Sequence, residues 1–380
     1  MSNIRTKNWD IFCRIVDNFG DIGVCWRLAQ QLASEHKLNI RLFIDDLAVA
    51  QKIITALNVS LEKQTVNQIE IYTWQSANQI AAADIALETF SCELPVAYLK
   101  SMSENSIWIN LEYLSAESWV ADFHARSSNN TQPLRHFYFP GFTEATGGLI
   151  REANIVQENQ SIANNKVLQK AFLESIHVSY NDAFKVSLFC YPHAPIHSLL
   201  STMAASNRRI DCYVPNSSIL ANIANYFNLH DTPIQVGTKL SSHNLHLHVL
   251  PFLNQTDYDK LLASCNLNFV RGEDSWIRAI WASKPFIWQP YLQSEDTHIT
   301  KLNAFIDLFY KDAEKSLKDA VREIHASWVN GNITTLTWQN YLNKHERISQ
   351  FTSEQASHLA TQSDLATKLV TFLQKVRDKV

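Results

Sequence analysis

Two short stretches of this sequence combine glycine with charged side chains at the spacing of a strand-to-helix turn. The first is Asp17-Asn18-Phe19-Gly20-Asp21-Ile22-Gly23, with two carboxylates four positions apart. It lacks the spacing of a dinucleotide-binding glycine turn, and Asp17 and Asp21 would repel a pyrophosphate held there. Such a pair suits a cationic or hydroxylic acceptor whose proton it takes up. Helix capping by Asp21 would explain one carboxylate, not both.

The second stretch is Arg271-Gly272-Glu273-Asp274-Ser275, where an apolar strand enters a helix. Helix-terminus N–H groups, the Ser275 hydroxyl and the Arg271 guanidinium together suit a sugar-nucleotide diphosphate held without metal. Glu273 is either an acceptor for a sugar or ribose hydroxyl or a group acting on charge at the reacting carbon. The plain alternative is an N-cap at Asp274 or Ser275 beside solvated charges.

The chain has only eight glycines, and six fall in three segments: Gly20 and Gly23, then Gly141, Gly147 and Gly148, then Gly272. Each segment follows a predicted strand, where ligands approach backbone in doubly wound sheets. Ordinary turn chemistry is the alternative. His193 with His197 and His246 with His248 lack the further ligands of a metal site. Asp257-Tyr258-Asp259 imitates an Asp-x-Asp metal motif but sits at a helix start, where capping is simpler. No metal is expected.

The elements that would position these turns alternate strand and helix. Strands are predicted over 10–16, 40–44, 69–74, 85–89, 107–111 and 136–139, with helices from Val24 and Leu47. Their apolar runs lack clean alternation, as in parallel strands covered on both faces. A polar, Asn- and Gln-rich stretch over 153–182, with one helix at 166–176, marks a domain boundary. The pattern then restarts with strands over 186–191, 210–214, 246–250, 267–270 and 285–288. Leu365, Leu369, Phe372, Leu373 and Val376 fall at helical spacing, which predicts a final amphipathic helix.

At 380 residues and 46% hydrophobic side chains, two domains are expected. A net charge of -4, from 33 basic and 37 acidic residues, gives no footprint for nucleic acid or an anionic membrane. The polar 1–9 segment and the absence of a spanning apolar run predict a cytoplasmic protein. Six scattered cysteines without a C-x-x-C pair read as reduced core thiols.

With these turns in view, the chain resembles the protein-arginine rhamnosyltransferases that modify bacterial elongation factor P. The carriers are IFCRIVDNFGDIGV at 11–24, WINLEYLS at 108–115, FPGFT at 139–143 with TGG at 146–148, and NFVRGEDS at 268–275. The resemblance implies an α/β GT-B glycosyltransferase fold, with two Rossmann-like domains facing across a cleft. The acceptor-side domain would span 1–180, joined by a helix over 362–380, and the nucleotide-sugar-binding domain 181–361. It further implies inverting transfer of L-rhamnose from dTDP-β-L-rhamnose to an arginine of elongation factor P, activating this translation factor. The other reading kept open is a GT-B enzyme with a small-molecule or lipid acceptor, and a third is a non-catalytic sugar-nucleotide binder.

By the same resemblance, Asp21 is the general base, Asp17 orients the acceptor and Glu273 is a second catalytic carboxylate. Asn18, Phe19 and Gly20 contact the sugar. Tyr191, Gln255, Arg271, Gly272, Asp274, Ser275 and Tyr291 line the donor. Tyr258 stands where phenylalanine is expected, keeping a stacking face for the base and adding a hydroxyl. Glu88, Glu112 and Tyr113 follow predicted strands and are expected to line the acceptor side.

Overall fold

The computed structural model describes residues 8–17, 19–128, 131, 133–229 and 233–377. The chain divides into two compact units, 1–153 with 360–380, and 154–359. In the first unit, β1 (Asn8–Cys13), β2 (Asn39–Ile44), β3 (Lys63–Val66), β4 (Ile69–Thr73), β5 (Ile85–Thr89), β6 (Ile107–Leu111), β7 (Ser127–Ser128) and β8 (Arg135–Tyr138) form one sheet. Its order is β3-β4-β2-β1-β5-β6-β8-β7, parallel except for β3 and β7. Strands β5 and β6 are buried throughout, as their mostly apolar runs without polar alternation require. The chain runs outward from β1 through β2 to β4, then from β5 through β6 to β8, so the direction of winding reverses between β1 and β5.

The second unit repeats this plan with β9 (Phe184–Leu188), β10 (Ile210–Pro215), β11 (Lys239–Ser242), β12 (Leu245–Leu250), β13 (Leu267–Arg271) and β14 (Phe286–Gln289). The order β11-β12-β10-β9-β13-β14 is parallel except for β11 and reverses between β9 and β13. In doubly wound sheets, ligands bind outside the carboxyl ends of strands at such a reversal. Both turns singled out from sequence follow a strand at a reversal: the segment from 14 to 17 that leads to the helix at Phe19 after β1, and 272–273 after β13.

Three predicted boundaries move. The first strand stops at Cys13 rather than at 16, because its partner β2 ends in register at Ile44 and the Asp45 side chain takes the Ile15 N–H at 3.0 Å. The first helix starts at Phe19, not Val24. The first unit ends at 153 rather than 180. The helices Ile155–Ala163 and Lys166–Ser175 belong with the second sheet, since Phe172, Leu173 and Ile176 are buried among Tyr213, Leu250, Leu261 and Cys265.

The final helix, Leu365–Arg377, belongs to the first unit, with Leu365, Leu369 and Leu373 of its apolar stripe buried. Gln31 donates to Asp364 at 3.0 Å, and Phe372 meets the rings of His136 and Tyr138. Two glycines of the central cluster make room for this packing. A Cβ on Gly148, whose φ is +78°, would lie 2.8 Å from the Ser363 carbonyl oxygen, and one on Gly147 would lie 2.5 Å from the Tyr138 ring. All six cysteines are buried and free. Among the described residues no helix is long and apolar enough to cross a membrane.

Candidate active site

The turn after β1 closes with the Gly20 N–H donating to the Asp17 carbonyl at 2.8 Å. A Cβ on Gly20 would stand 3.0 Å from Asp17 Oδ2, so glycine leaves room for that carboxylate. Asp21, in the first turn of the helix Phe19–Ser34, is 2% exposed. It reaches back instead of capping its own helix: Oδ2 accepts the N–H groups of Val16 at 2.7 Å and Asp17 at 2.8 Å. Burial pushes its carboxyl above the usual aspartate value, opposed by these N–H groups and the Tyr113 hydroxyl and reinforced by Asp45. A buried carboxylate with a raised pKa beside a half-buried one is chemically able to take up a proton from a cationic or hydroxylic group that both hold. Phe19 and Gly20 share this turn, half-buried; Asn18 lies outside the described residues.

Tyr113 was expected only to line the acceptor side, yet its hydroxyl points at Oδ1 of Asp21 from 3.4 Å. Its ring stacks on Phe90 with centroids 4.3 Å apart and planes 12° from parallel. Phe90 holds a left-handed backbone, φ 56°, with its N–H on the Leu111 carbonyl. Glu112 is half-buried, accepts from Ser91 and Asn110, and has its carboxyl raised by burial. Glu88 departs from expectation. It is fully buried, accepting from Trp108 and Glu93 and pairing with Arg135 at 2.9 Å, so it braces the sheet instead of lining a surface.

In the second unit, Gly272 takes φ +57° between β13 and the helix Asp274–Trp281, a backbone that glycine adopts without strain. Its N–H donates to the Gln289 carbonyl, and its own carbonyl accepts from Trp288 Nε1 at 2.7 Å. The Arg271 guanidinium, 8% exposed, lies over the rings of Phe189 at 4.5 Å and Tyr191 at 4.6 Å. Two aromatic faces thus fix a cation at the carboxyl ends of β9 and β13, beside the positive end of a helix dipole. Phe189 was missed from sequence; the aromatic-rich run at the end of β9 was the available signal.

Ser275 departs in part from its expected role. Its hydroxyl donates to the Arg271 carbonyl and accepts the Arg271 N–H, so it closes the turn that aims Arg271. Glu273 occupies the N-cap position without a side-chain capping bond, and Asp274 opens the helix; both are half-buried. The Tyr191 N–H donates to Gln289 Oε1 at 2.9 Å, and the Tyr191 ring meets Tyr291 edge-on at 5.8 Å. Tyr291 is 45% exposed. Gln255 opens the helix Gln255–Ser264, and Tyr258, one turn later, lies edge-on to Phe189 at 5.6 Å. Burial drives the Tyr258 phenol well above its usual pKa. These residues therefore gather around one strand-to-helix turn, while Asp17, Phe19, Gly20 and Asp21 gather in the other unit.

The metal look-alikes resolve into packing. Asp259 forms a bidentate, buried pair with Arg278 at 2.9 and 2.7 Å, and Asp257 bonds Asn254 and Lys260. Asn254, not Asp257, caps that helix, accepting the Asp257 N–H. His193 stacks on Tyr191, whereas His197 meets Tyr226. His248 stands 3.5 Å from Asp211. No group of three or more metal-ligating side chains forms among the described residues.

The family model described as Elongation-Factor P (EF-P) rhamnosyltransferase EarP matches residues 9–374, nearly the whole chain. The chain belongs to the EarP family. A protein-arginine rhamnosyltransferase of Pseudomonas aeruginosa is 36% identical over 371 residues, covering 96% of this chain and 98% of the relative. One from Shewanella oneidensis is 34% identical over 390 residues, covering 98% of each. A solved structure concerning EarP-mediated arginine glycosylation of translation elongation factor EF-P superposes with a TM-score of 0.71 at 29% identity, covering 97% of this chain and 99% of the other. A UDP-glucosyltransferase from Polygonum tinctorium, 9% identical with a TM-score of 0.51 over 98% of each chain, shares the fold alone. The two-sheet α/β architecture of this EarP chain is that of GT-B glycosyltransferases.

Proposed function

We propose that this chain is an inverting, metal-independent glycosyltransferase that moves L-rhamnose from dTDP-β-L-rhamnose to one arginine of elongation factor P. The observation that carries this reading is the paired Asp17 and buried Asp21 at the winding reversal of the first sheet, in a member of the EarP family. Arginine keeps its proton, with a pKa above about 12, so no carboxylate removes it beforehand. Asp17 and Asp21 instead hold the guanidinium by charge-assisted hydrogen bonds and aim one nitrogen at the anomeric carbon. As the carbon–nitrogen bond forms, that nitrogen becomes acidic and Asp21 accepts its proton. Backside attack inverts the sugar to an α linkage.

On the donor side, Arg271 and the start of its helix supply positive charge for the departing dTDP, the work a metal does elsewhere. Tyr191, Gln255 and Tyr291 complete the donor contacts, and Tyr258 offers its ring to thymine. Glu273 acts on the sugar side of the same turn. Asp257 and Asp259, already engaged by Asn254, Lys260 and Arg278, do not serve as ligands. The test incubates the protein with dTDP-β-L-rhamnose and purified elongation factor P, with and without chelator. One rhamnose mass increment on a single arginine, α by NMR and equal in both arms, is expected. An unmodified factor alongside turnover on a small-molecule acceptor would sink the reading.

A further inference from the structure

Lysine is almost never buried without a partner, yet Lys185 is 5% exposed in β9, a strand buried along its whole length. Among the described residues its ammonium reaches the Ala183 carbonyl, at 3.4 Å, and the face of Tyr180, at 4.7 Å. It borders a pocket of about 190 Å³ shared with Lys166, Lys284, Gln169 and Asp182. Lys284 is half-buried and makes no hydrogen bond or ion pair among the described residues. Lys166 pairs with Asp182 at 2.9 Å. The Cys265 thiol in the wall stays protonated, since burial raises its pKa, and so offers no counter-charge. Three ammonium groups therefore face Asp182, with Asp211 of the neighbouring strand acting on Lys185 while already engaged by Arg209, Asn181 and His248.

The pocket lies at the amino ends of β9, β13 and β14, where Asn266 and Lys185 exchange backbone and side-chain bonds. Arg271 ends β13 on the far side, on the order of 15 Å away along the strand. The donor turn does not account for the lysines. Burying a cation without its counter-ion is costly, and desolvation correspondingly lowers the pKa of both Lys185 and Lys284. We propose that this pocket binds a small tetrahedral oxyanion, inorganic phosphate or the phosphate of a monoester, between Lys185 and Lys284.

Calorimetric titration of the full chain with inorganic phosphate, and separately with a sugar monophosphate, tests this. Wild type should bind at least one of them at millimolar concentration or below, and the two arms tell the free ion from the ester. Lys284→Met should weaken binding at least tenfold with an unchanged circular dichroism spectrum, Lys284→Arg should retain it, and Arg271→Ala should leave it intact. Lys185→Met should abolish the rise in melting temperature that phosphate gives wild type. Binding of neither anion, or binding that survives Lys284→Met and is lost in Arg271→Ala, would overturn the proposal.

Discussion

Tyr113 sets its hydroxyl 3.4 Å from Oδ1 of Asp21, a residue 92 positions earlier, while its ring rests on Phe90. With the Val16 and Asp17 N–H groups on Oδ2, both carboxylate oxygens are held. The hydroxyl opposes the effect of burial on the Asp21 pKa. Tyr113→Phe should therefore raise that pKa further. A base works only when ionised, so the acidic limb of the kcat profile should move to higher pH. Losing one hydrogen bond, worth about 1 kcal/mol, should lower plateau kcat by roughly fivefold. A limb that stays put or moves to lower pH would show that Tyr113 does not act through Asp21.

Asp21→Asn keeps the shape and the acceptor oxygen for Val16 and Asp17 but removes the carboxylate proposed as the base. Transfer should fall by about 10²–10⁴-fold, while calorimetric affinity for dTDP stays at the wild-type level. Stability separates the two roles of the residue. The raised folded-state pKa means that wild type loses stability as pH rises from the unfolded aspartate value through the folded one. The asparagine variant escapes that loss, so its melting temperature at pH 7 should equal or exceed wild type.

Arg271 lies between two aromatic faces with its backbone locked by Ser275. Arg271→Ala removes a charge-assisted contact of roughly 1.5–3 kcal/mol, so dTDP affinity should drop about 10- to 150-fold. Arg271→Lys should recover only part, because an ammonium stacks poorly and makes no planar fork. Affinity unchanged in Arg271→Ala would remove the diphosphate from this turn.

The parallel sheets were legible because their strands are largely buried on both faces and read as mostly apolar runs without alternation. The edge strands β3 and β11 were not, since KQTV and KLSS are half-exposed and polar. Asp17, Asp21 and Arg271 stood out because glycine is scarce and gathers beside them. The contact of Tyr113 with Asp21 was invisible, because it depends on the lateral order β1-β5-β6, which no local pattern encodes. Gly147 and Gly148 misled for a related reason. Room for a ligand and room for a returning helix demand the same missing Cβ, and only Ser363 and Tyr138 reveal which applies.

Asp259 poses the same choice between chemistry and packing. Its Asp-x-Asp spacing suggests a metal ligand, whereas its bidentate pair with Arg278 fastens the helix Gln255–Ser264 to the helix Asp274–Trp281. Both side chains are buried, so Asp259→Asn would remove a full counter-charge from the Arg278 guanidinium. Breaking a buried pair from one side costs about 3–5 kcal/mol. Urea unfolding of the variant should shift to lower midpoint by on the order of 1–2 M at unchanged slope. The remaining folded protein should respond to manganese and to chelator as wild type does. A variant of normal stability whose activity became manganese-dependent would instead make Asp259 part of the chemistry.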